Sequence, residues 1–206
     1  MELFSQKYLD DLHGVLERFP HAGFKKMVEA FMKVYRENRN IFVMGNGGSG
    51  SIASHWAGDI NKGCCFRLDK KFKMICLHDN ISTMMAYAND LSYEQAFVEP
   101  LKNFFRPKDM VIGISGSGNS KNVLNAIEYA NSHHGITIGL CGYGGGKLRD
   151  MVTIPLWVQA DDMQKIEDVA MIIVHMAMQA ICKELSVEET CGDRSAGLNQ
   201  IHLSGC

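Results

Sequence analysis

Hydrophobic residues recur every three or four positions through the first 35 residues, and short apolar runs between polar, glycine-rich stretches follow. A spacing of three and four places side chains on one face of an α-helix. The pattern therefore predicts two amphipathic helices separated near Pro20, and we expect a hairpin whose apolar faces serve the core or a subunit interface. The apolar positions are Leu9, Leu12, Val15, Leu16 and Phe19 in the first helix, and Phe24, Met27, Val28, Phe31, Val34 and Tyr35 in the second.

Five short apolar runs come next, and helical patterns separate most of them. Strands that alternate with helices form a parallel sheet with helices on both faces. We predict an α/β fold, a doubly wound three-layer sandwich around a five-stranded parallel sheet, and Pro155 favours an edge position for the last strand. The predicted strands span 41–44, 74–77, 111–114, 136–141 and 152–158, and the predicted helices span 49–61, 83–88, 93–105, 121–132 and 163–185.

The length of the chain fits one domain. It has 206 residues, 46% of them apolar, which is enough for one sizeable core and somewhat short for two. Residues 1–38 form the predicted hairpin and residues 40–186 the α/β core. Residues 187–206 are polar and contain glycine, and we expect them to form a loosely attached tail.

Charge and hydropathy narrow the range of partners. The formal net charge of −2 gives no electrostatic argument for binding nucleic acid. No uninterrupted apolar run approaches the roughly 20 residues that span a bilayer, and the N-terminus lacks the pattern of a secretory signal. We therefore expect a cytoplasmic protein with neither nucleic acid nor a membrane as its partner.

The cysteines do not predict a disulfide framework. Their number, seven, is odd, and Cys76, Cys141 and Cys182 lie in apolar runs where cysteine acts as a small hydrophobic residue. The adjacent Cys64 and Cys65 have no second cysteine pair with which to complete a four-ligand metal site. This cysteine usage is typical of a protein in a reducing compartment.

Two loops rich in glycine and serine are the most informative motifs. Residues 44–51 follow the first predicted strand, residues 114–120 follow the third, and each loop leads into a helix. Serine hydroxyls and the free N–H groups of a helix start bind anions, most often phosphate. Because the carboxyl ends of parallel strands meet at one edge of the sheet, both loops are predicted to face one ligand. Ser115, Ser117 and Ser120 favour a phosphorylated small molecule.

These loops have two other interpretations, a nucleotide-binding loop and a simple tight turn. Gly45, Gly47 and Gly50 match the spacing of a dinucleotide-binding loop, but no acidic residue ends a second strand about 20 residues further on. Neither loop ends in the Gly-Lys-Ser/Thr of a P-loop, so we expect no nucleotide cofactor. An interpretation in which the glycines only form tight turns stays open for the first loop. It fits the second less well, although Ser120 or Asn119 can also cap the following helix.

Four titratable residues interrupt the predicted helices near these loops. His55 and Asp59 are four residues apart and therefore share one helix face. Glu167 and His175 are eight residues apart, about 12 Å along a helix axis, so their side chains only just reach one metal ion or one extended substrate. A buried core histidine at position 175 and an exposed ion pair between His55 and Asp59 are the structural alternatives.

Together these motifs resemble the sugar isomerase (SIS) domain family and, within it, the phosphoheptose isomerases, from the N-terminal hairpin to about residue 185. The resemblance implies a SIS fold that binds a sugar phosphate. It places the phosphate on the serines of the second loop, where Gly116 replaces a threonine of the family. The motifs are Gly45-Asn46-Gly47-Gly48-Ser49, Asn89-Asp90, Gly113 to Ser120 and Glu167 to His175, and the implied substrate contacts are Asn46, Gly47, Ser49, Asn89, Asp90, Ser115, Gly116, Ser117 and Ser120.

The resemblance also implies a reaction, the isomerisation of a ketose phosphate such as sedoheptulose 7-phosphate to D-glycero-D-manno-heptose 7-phosphate through a cis-enediol. It implies Asp59 as the base, His175 as the acid and Glu167 as the alternative base. It further implies that His55, Asp59, Glu167 and His175 bind zinc. Asp59 is one methylene shorter than the glutamate of the family, and Glu167 is anionic where the family has glutamine. Two carboxylates favour zinc binding, because both are anionic ligands.

Assembly and rival functions complete these expectations. The resemblance implies a homotetramer with active sites between subunits. The substitutions at Asp59 and Glu167 also fit an alternative from another class, a non-catalytic regulator that binds a sugar phosphate or another protein, such as one that acts in replication initiation. A third hypothesis keeps the isomerase and changes its substrate to another ketose phosphate or an amino-sugar phosphate.

Overall fold

A five-stranded parallel sheet runs through the protein in the computed structural model, which describes residues 2–66 and 68–192. Its strand order is β2-β1-β3-β4-β5, and every neighbouring pair is parallel. Strand β5 lies at an edge, as Pro155 predicts, because proline cannot donate to a second neighbouring strand. The strands are β1 (Asn40–Gly45), β2 (Lys73–Cys76), β3 (Met110–Ser115), β4 (Ile136–Cys141) and β5 (Ile154–Trp157).

Helices precede the sheet and connect its strands, which confirms the predicted α/β class and the N-terminal helices. A π-helical segment, Asp59–Cys64, continues directly from α3, and a single 3₁₀ turn, Tyr93–Gln95, follows α4. The helices are α1 (Glu2–Leu16), α2 (His21–Arg36), α3 (Gly47–Gly58), α4 (Ile81–Asp90), α5 (Val98–Phe104), α6 (Lys121–Ser132), α7 (Gly146–Met151) and α8 (Met163–Gly192).

Two of the differences from the predicted helices are large. The single helix predicted over 93–105 is split into the 3₁₀ turn and α5, because Pro100 has no N–H to donate to the carbonyl of Ala96. Helix α8 continues to Gly192, past the predicted end at residue 185 and into the predicted tail. The rest of that tail, residues 193–206, lies outside the described residues.

The apolar core lies on both faces of the sheet. Along β1, Ile41 belongs to one cluster of buried side chains and Phe42 to the other, as the alternation of side chains in a strand requires. The first cluster contains residues of α2, α3 and α8, including Phe31 and Trp56, and the second contains residues of α5, α6 and α7, including Leu101. Both faces of every central strand are therefore covered, which explains why these strands are almost wholly apolar.

Helix α8 is long and apolar. Its segment Met163–Ser186 has 24 residues and a mean hydropathy of 1.4, so it passes a test for membrane-spanning helices that rests on length and composition alone. The core helices of soluble proteins pass the same test. The buried residues of α8 recur every three or four positions, which is the pattern of a helix with one face in a protein core. The apolar ones are Ile166, Val169, Ala170, Ile173, Val174, Ala177, Ile181 and Leu185.

The two glycine–serine loops leave the sheet side by side. The chain moves from β1 to β2 on one side of the sheet and then crosses to β3 on the other side of β1. Such a reversal of strand order opens a crevice at the carboxyl ends of the two strands. Here Gly45 pairs with Ile114, so the loops that follow β1 and β3 form the two walls of this crevice.

Candidate functional site

The first loop is a tight turn from β1 into α3. Gly47 has a φ of +54°, which glycine adopts at little cost. A side chain at Gly45 would meet the carbonyl group of Ser49 at 2.6 Å, so glycine is needed where the helix crosses the end of the strand. Asn46 occupies the N-cap position of α3, but its side chain makes no capping hydrogen bond and is free to bond elsewhere. Ser49 is buried beneath the loop.

The second loop brings three serine hydroxyls to the start of α6. Ser115 Oγ lies 3.0 Å from Ser120 Oγ, and the backbone N–H of Asn119 donates to Ser117 Oγ at 3.2 Å. Gly118 has a φ of +66°, and its N–H donates to the carbonyl of Ser115 at 2.8 Å, which closes the turn. Ser120 is the N-cap residue of α6, yet its hydroxyl does not cap the helix. Hydroxyls and a helix N-terminus are thus combined as an anion site requires.

The sequence places Gly116 where the SIS family has a threonine, and the packing of α8 gives a reason. A Cβ atom at Gly116 would overlap the sulfur of Met163, the first residue of α8. The methionine side chain occupies the space that a threonine side chain would need. Glycine at position 116 therefore leaves room for Met163.

Three of the four predicted titratable residues form one cluster. His55 Nε2 lies 3.1 Å from His175 Nε2 and 3.3 Å from Asp59 Oδ2. Asp59 is the first residue of the π-helical segment, and the tight join with α3 keeps it one turn beyond His55. His175 reaches the same point from α8. The structure therefore brings together side chains that are 120 positions apart in the chain.

The donor atoms of this cluster fit a metal ion. Asp59 Oδ2 is buried and has no hydrogen-bond partner, which is costly for a carboxylate oxygen unless something else binds it. Neighbouring ligands in a tetrahedral zinc site are about 3.3 Å apart, because each metal–ligand bond is about 2.0–2.1 Å. The two distances from His55 Nε2 match that spacing. His55, Asp59 and His175 also offer ligand atoms that all lie within 4.8 Å of one another.

Glu167 lies outside this cluster. Its carboxylate packs against the backbone of Gly48 in the first loop, where an added Cβ atom would overlap it. Eight residues of α8 separate Glu167 from His175, which corresponds to about 12 Å along the axis. The group of mutually close ligand atoms accordingly includes His175 and not Glu167. The carboxylate of Glu167 therefore lies beside the first glycine–serine loop.

Asn89 and Asp90, two of the predicted substrate contacts, lie at the end of α4. Both are exposed at the C-terminal end of α4. The Asn89 side chain donates to Asp90 Oδ1 at 2.9 Å. In the described part of the chain their side-chain hydrogen bonds link them to each other and not to either glycine–serine loop.

Three polar residues that the sequence pattern did not predict as part of the site support the loops. Asn122 is buried in α6 and exchanges hydrogen bonds with the side chain of Asn46 at 3.0 and 2.9 Å. Tyr93, in the 3₁₀ turn, donates its hydroxyl to Asn46 Oδ1 at 2.7 Å. His78 Nε2 lies 3.0 Å from the carbonyl of Gly50. Only the polarity of Asn122 at an otherwise apolar helix position was a signal, because Tyr93 and His78 lie in irregular segments.

Comparisons with known proteins agree with this arrangement. Residues 7–142 match the model of the SIS domain family. A phosphoheptose isomerase of Helicobacter pylori is 34% identical over 77% of this chain and 82% of its own length. One from Trichlorobacter lovleyi is 32% identical over 88% and 93%. The solved structure of a phosphoheptose isomerase from Francisella tularensis, 24% identical, covers 89% of this chain and 99% of its own, with a TM-score of 0.81. The chain therefore belongs to the SIS domain family, within its phosphoheptose isomerase group.

Proposed function

We propose that this protein is a cytoplasmic sugar-phosphate isomerase that interconverts sedoheptulose 7-phosphate and D-glycero-D-manno-heptose 7-phosphate. One observation carries the proposal. The hydroxyl-lined loop at Ser115–Ser120 and the His55–Asp59–His175 cluster are linked by a continuous series of contacts. Asn122, next to the serine loop, bonds Asn46 of the first loop, and Glu167 of α8 packs on Gly48 of that loop. We propose that a substrate with a phosphate at one end lies between them.

The serine loop would hold the phosphate group. Ser115, Ser117 and Ser120 supply hydroxyl donors, and the start of α6 supplies backbone N–H groups and the positive end of its dipole. Binding energy gained at the remote phosphate orients the reacting end of the sugar. Asn46, Gly47 and Ser49 of the first loop, together with Asn89 and Asp90 of α4, are the proposed contacts of the sugar and its hydroxyl groups.

The isomerisation needs one base and one acid. A carboxylate removes the proton from C1 of the ketose, which leaves a cis-enediolate, and a second group supplies a proton to the carbonyl oxygen at C2. The base then returns its proton to C2 while the hydroxyl on C1 gives its proton back to the second group, which forms the aldehyde and restores both groups. We assign the base to Asp59 and the acid to His175. Glu167 is the alternative base, since its carboxylate lies beside the first loop.

His55, Asp59 and His175 would also hold a zinc ion, and the buried Asp59 oxygen that lacks a hydrogen bond supports this assignment. When bound, zinc supplies a Lewis acid that polarises the carbonyl oxygen of the substrate. The two candidate carboxylates, Asp59 and Glu167, then have different roles. If Asp59 and His175 bind the metal, Asp59 is a weaker base and the bound nitrogen of His175 has no proton to donate. Glu167 then becomes the stronger candidate for proton abstraction. A fourth ligand position for Glu167 stays a prediction.

We further propose a homotetramer with active sites between subunits. Large apolar side chains are exposed on α1, where Leu3 is 85% and Phe4 is 74% exposed. Others lie on α4, where Ile81 is 63% and Met85 is 61% exposed. Apolar surfaces of this kind favour contacts between subunits. An interface at α4 would also bring Asn89 and Asp90 close to a neighbouring subunit.

The test is a direct assay. Purified protein is incubated with sedoheptulose 7-phosphate, with zinc and after removal of metal by a chelator, and the aldose product is measured by chromatography. Turnover under either condition supports the proposal. No product under both conditions contradicts the heptose assignment. Metal content after dialysis separates the enzyme from the non-catalytic alternative, because a regulator has no need to retain zinc at His55, Asp59 and His175.

A further inference from the structure

Two cysteines from different elements face each other beside the candidate site. Cys64 is the last residue of the π-helical segment, and Cys182 lies on α8. Cys64 Sγ lies 3.7 Å from the carbonyl oxygen of Met178, which in an α-helix accepts the N–H of residue 182. In return, Cys182 Sγ lies 3.9 Å from the carbonyl oxygen of Gly63, the residue before Cys64. Each thiol therefore reaches the backbone next to the other cysteine.

The two elements approach closely enough for this contact because Gly63 has no side chain. A Cβ atom there would lie 2.5 Å from the methyl group of Met178. The adjacent Cys65 is held differently, since its thiol donates inward to the carbonyl of Asn61 at 3.2 Å and accepts the N–H of Phe72. Cys64 and not Cys65 is consequently the thiol that faces α8.

The two thiols differ in exposure and in pKa. A hydrogen bond from Cys64 lowers the pKa of Cys182 to about 7, and Cys182 is partly exposed. That hydrogen bond and burial raise the pKa of Cys64, which is 7% exposed. An accessible thiolate attacks an oxidant first. A neighbouring thiol then resolves the mixed disulfide once it has lost its proton, and this step is slower when its pKa is raised.

We propose that Cys64 and Cys182 are a site of reversible covalent modification, an intramolecular disulfide formed with a low-molecular-weight disulfide as the oxidant. The Cys182 thiolate attacks one sulfur of the oxidant, which forms a mixed disulfide and releases one thiolate. Cys64 loses its proton to solvent and attacks Cys182 Sγ, which forms the protein disulfide and releases the second thiolate. Two protein thiols are oxidised and one small disulfide is reduced to two thiols.

This modification would join the two elements that carry the candidate cluster. Asp59 begins the segment that ends at Cys64, and His175 lies about two turns before Cys182 on α8. The sulfur atoms must close to about 2.05 Å, so the segment and the helix must shift toward each other. The pairing itself does not depend on the proposed function, whereas its effect on turnover does.

Peptide mapping tests the pairing. The reduced protein is treated with oxidised glutathione, the remaining thiols are alkylated, and the protein is digested with trypsin without reduction. Trypsin releases residues 63–67 and 166–183 as separate peptides, so a disulfide appears as one linked species that a reductant separates. We expect this species in the wild-type protein, with fragmentation assigning the link to Cys64.

Adjacent cysteines provide a matched control. Cys65→Ser should keep the linked species, whereas Cys64→Ser and Cys182→Ser should lose it. A stable glutathione adduct on Cys182 without the linked species would overturn the proposal, as would a link through Cys65 in the wild-type protein. The wild-type fragmentation alone decides the matter if a variant does not fold.

Turnover then reports the consequence for the site. A displacement of about 1 Å in a reacting group costs on the order of 100-fold in rate, so we expect the oxidised protein to lose turnover by up to that factor and to regain it with a reductant. Cys182→Ser should be insensitive to oxidised glutathione. A linked species with unchanged turnover would overturn the predicted coupling to the site. A protein that is inactive even when reduced would contradict the proposed function and leave the peptide result intact.

Discussion

The serine loop and the titratable cluster, the two parts of the candidate site, are stabilised by different kinds of contact. The serine loop is stabilised mainly by contacts within a few residues, such as the Ser115–Ser120 contact of 3.0 Å and the Gly118 turn. The titratable cluster depends on a contact between residues 120 positions apart, His55 and His175. The loop is encoded by neighbouring residues, whereas the cluster forms only when α3 and α8 pack together. The proposed phosphate site and the proposed proton-transfer site thus depend on different parts of the fold. The predictions below test that difference, from the largest expected effect to the smallest.

Replacing Asp59, the proposed base, should have the largest effect on turnover. Asp59→Asn keeps the size of the side chain and removes the basic oxygen, and general-base catalysis contributes about 10²–10⁴-fold to a rate. We expect kcat to fall within that range and KM to change little. Asp168→Asn is the matched control. Asp168 lies on α8, as His175 does, but its carboxylate accepts a hydrogen bond from Tyr8 of α1. A kcat close to wild type in Asp59→Asn would move the base to Glu167, which Glu167→Gln then tests.

Removing His175 should affect the metal before it affects folding. Loss of even an outer-shell partner lowers metal affinity about 10–100-fold, so His175→Ala should weaken zinc binding at least that much. Metal analysis after dialysis measures the retained zinc. His133→Ala, which alters an exposed histidine at the end of α6, should retain zinc like the wild type. Equal zinc content in both variants would separate the cluster from metal binding.

Changing the serine loop should weaken binding and spare the chemistry. Ser120→Ala removes a hydroxyl that does not cap α6, so the helix loses no cap. A hydrogen bond to a charged group contributes about 1.5–3 kcal/mol, which corresponds to about a 10–100-fold rise in KM. The inhibition constant of inorganic phosphate should rise with it. Ser132→Ala, at the other end of α6, is the control, and a fall in kcat at unchanged KM would contradict the phosphate role.

Removing the support of the first loop should have the smallest effect. Tyr93→Phe deletes the 2.7 Å hydrogen bond to Asn46 and leaves Asn122 in place. A neutral hydrogen bond contributes about 0.5–1.5 kcal/mol, so KM should rise by no more than about tenfold. Tyr87→Phe on α4 controls for the loss of a hydroxyl. Unchanged kinetics in Tyr93→Phe would show that Asn122 alone holds Asn46.

The sequence predicted the elements better than their boundaries. Hydrophobic spacing found all five strands and the long last helix, since a buried face repeats with the period of its element. It did not find the π-helical segment at Asp59–Cys64, because one extra residue per turn leaves no clear period. It also predicted one helix over 93–105, where the structure has a 3₁₀ turn at Tyr93–Gln95 followed by α5, with Pro100 in the first turn of α5.

The candidate site combines features that neighbouring residues determine with contacts between distant residues. The sequence by itself determined the serine loop, because glycines, hydroxyls and a helix start are neighbours along the chain. It also placed His55 and Asp59 on one face of a helix. Only the tertiary structure decided that His175 joins them and that Glu167 lies against Gly48 instead, since these contacts depend on how α8 crosses α3. Local geometry follows from adjacent residues, whereas contacts between distant residues follow from the packing of the whole core.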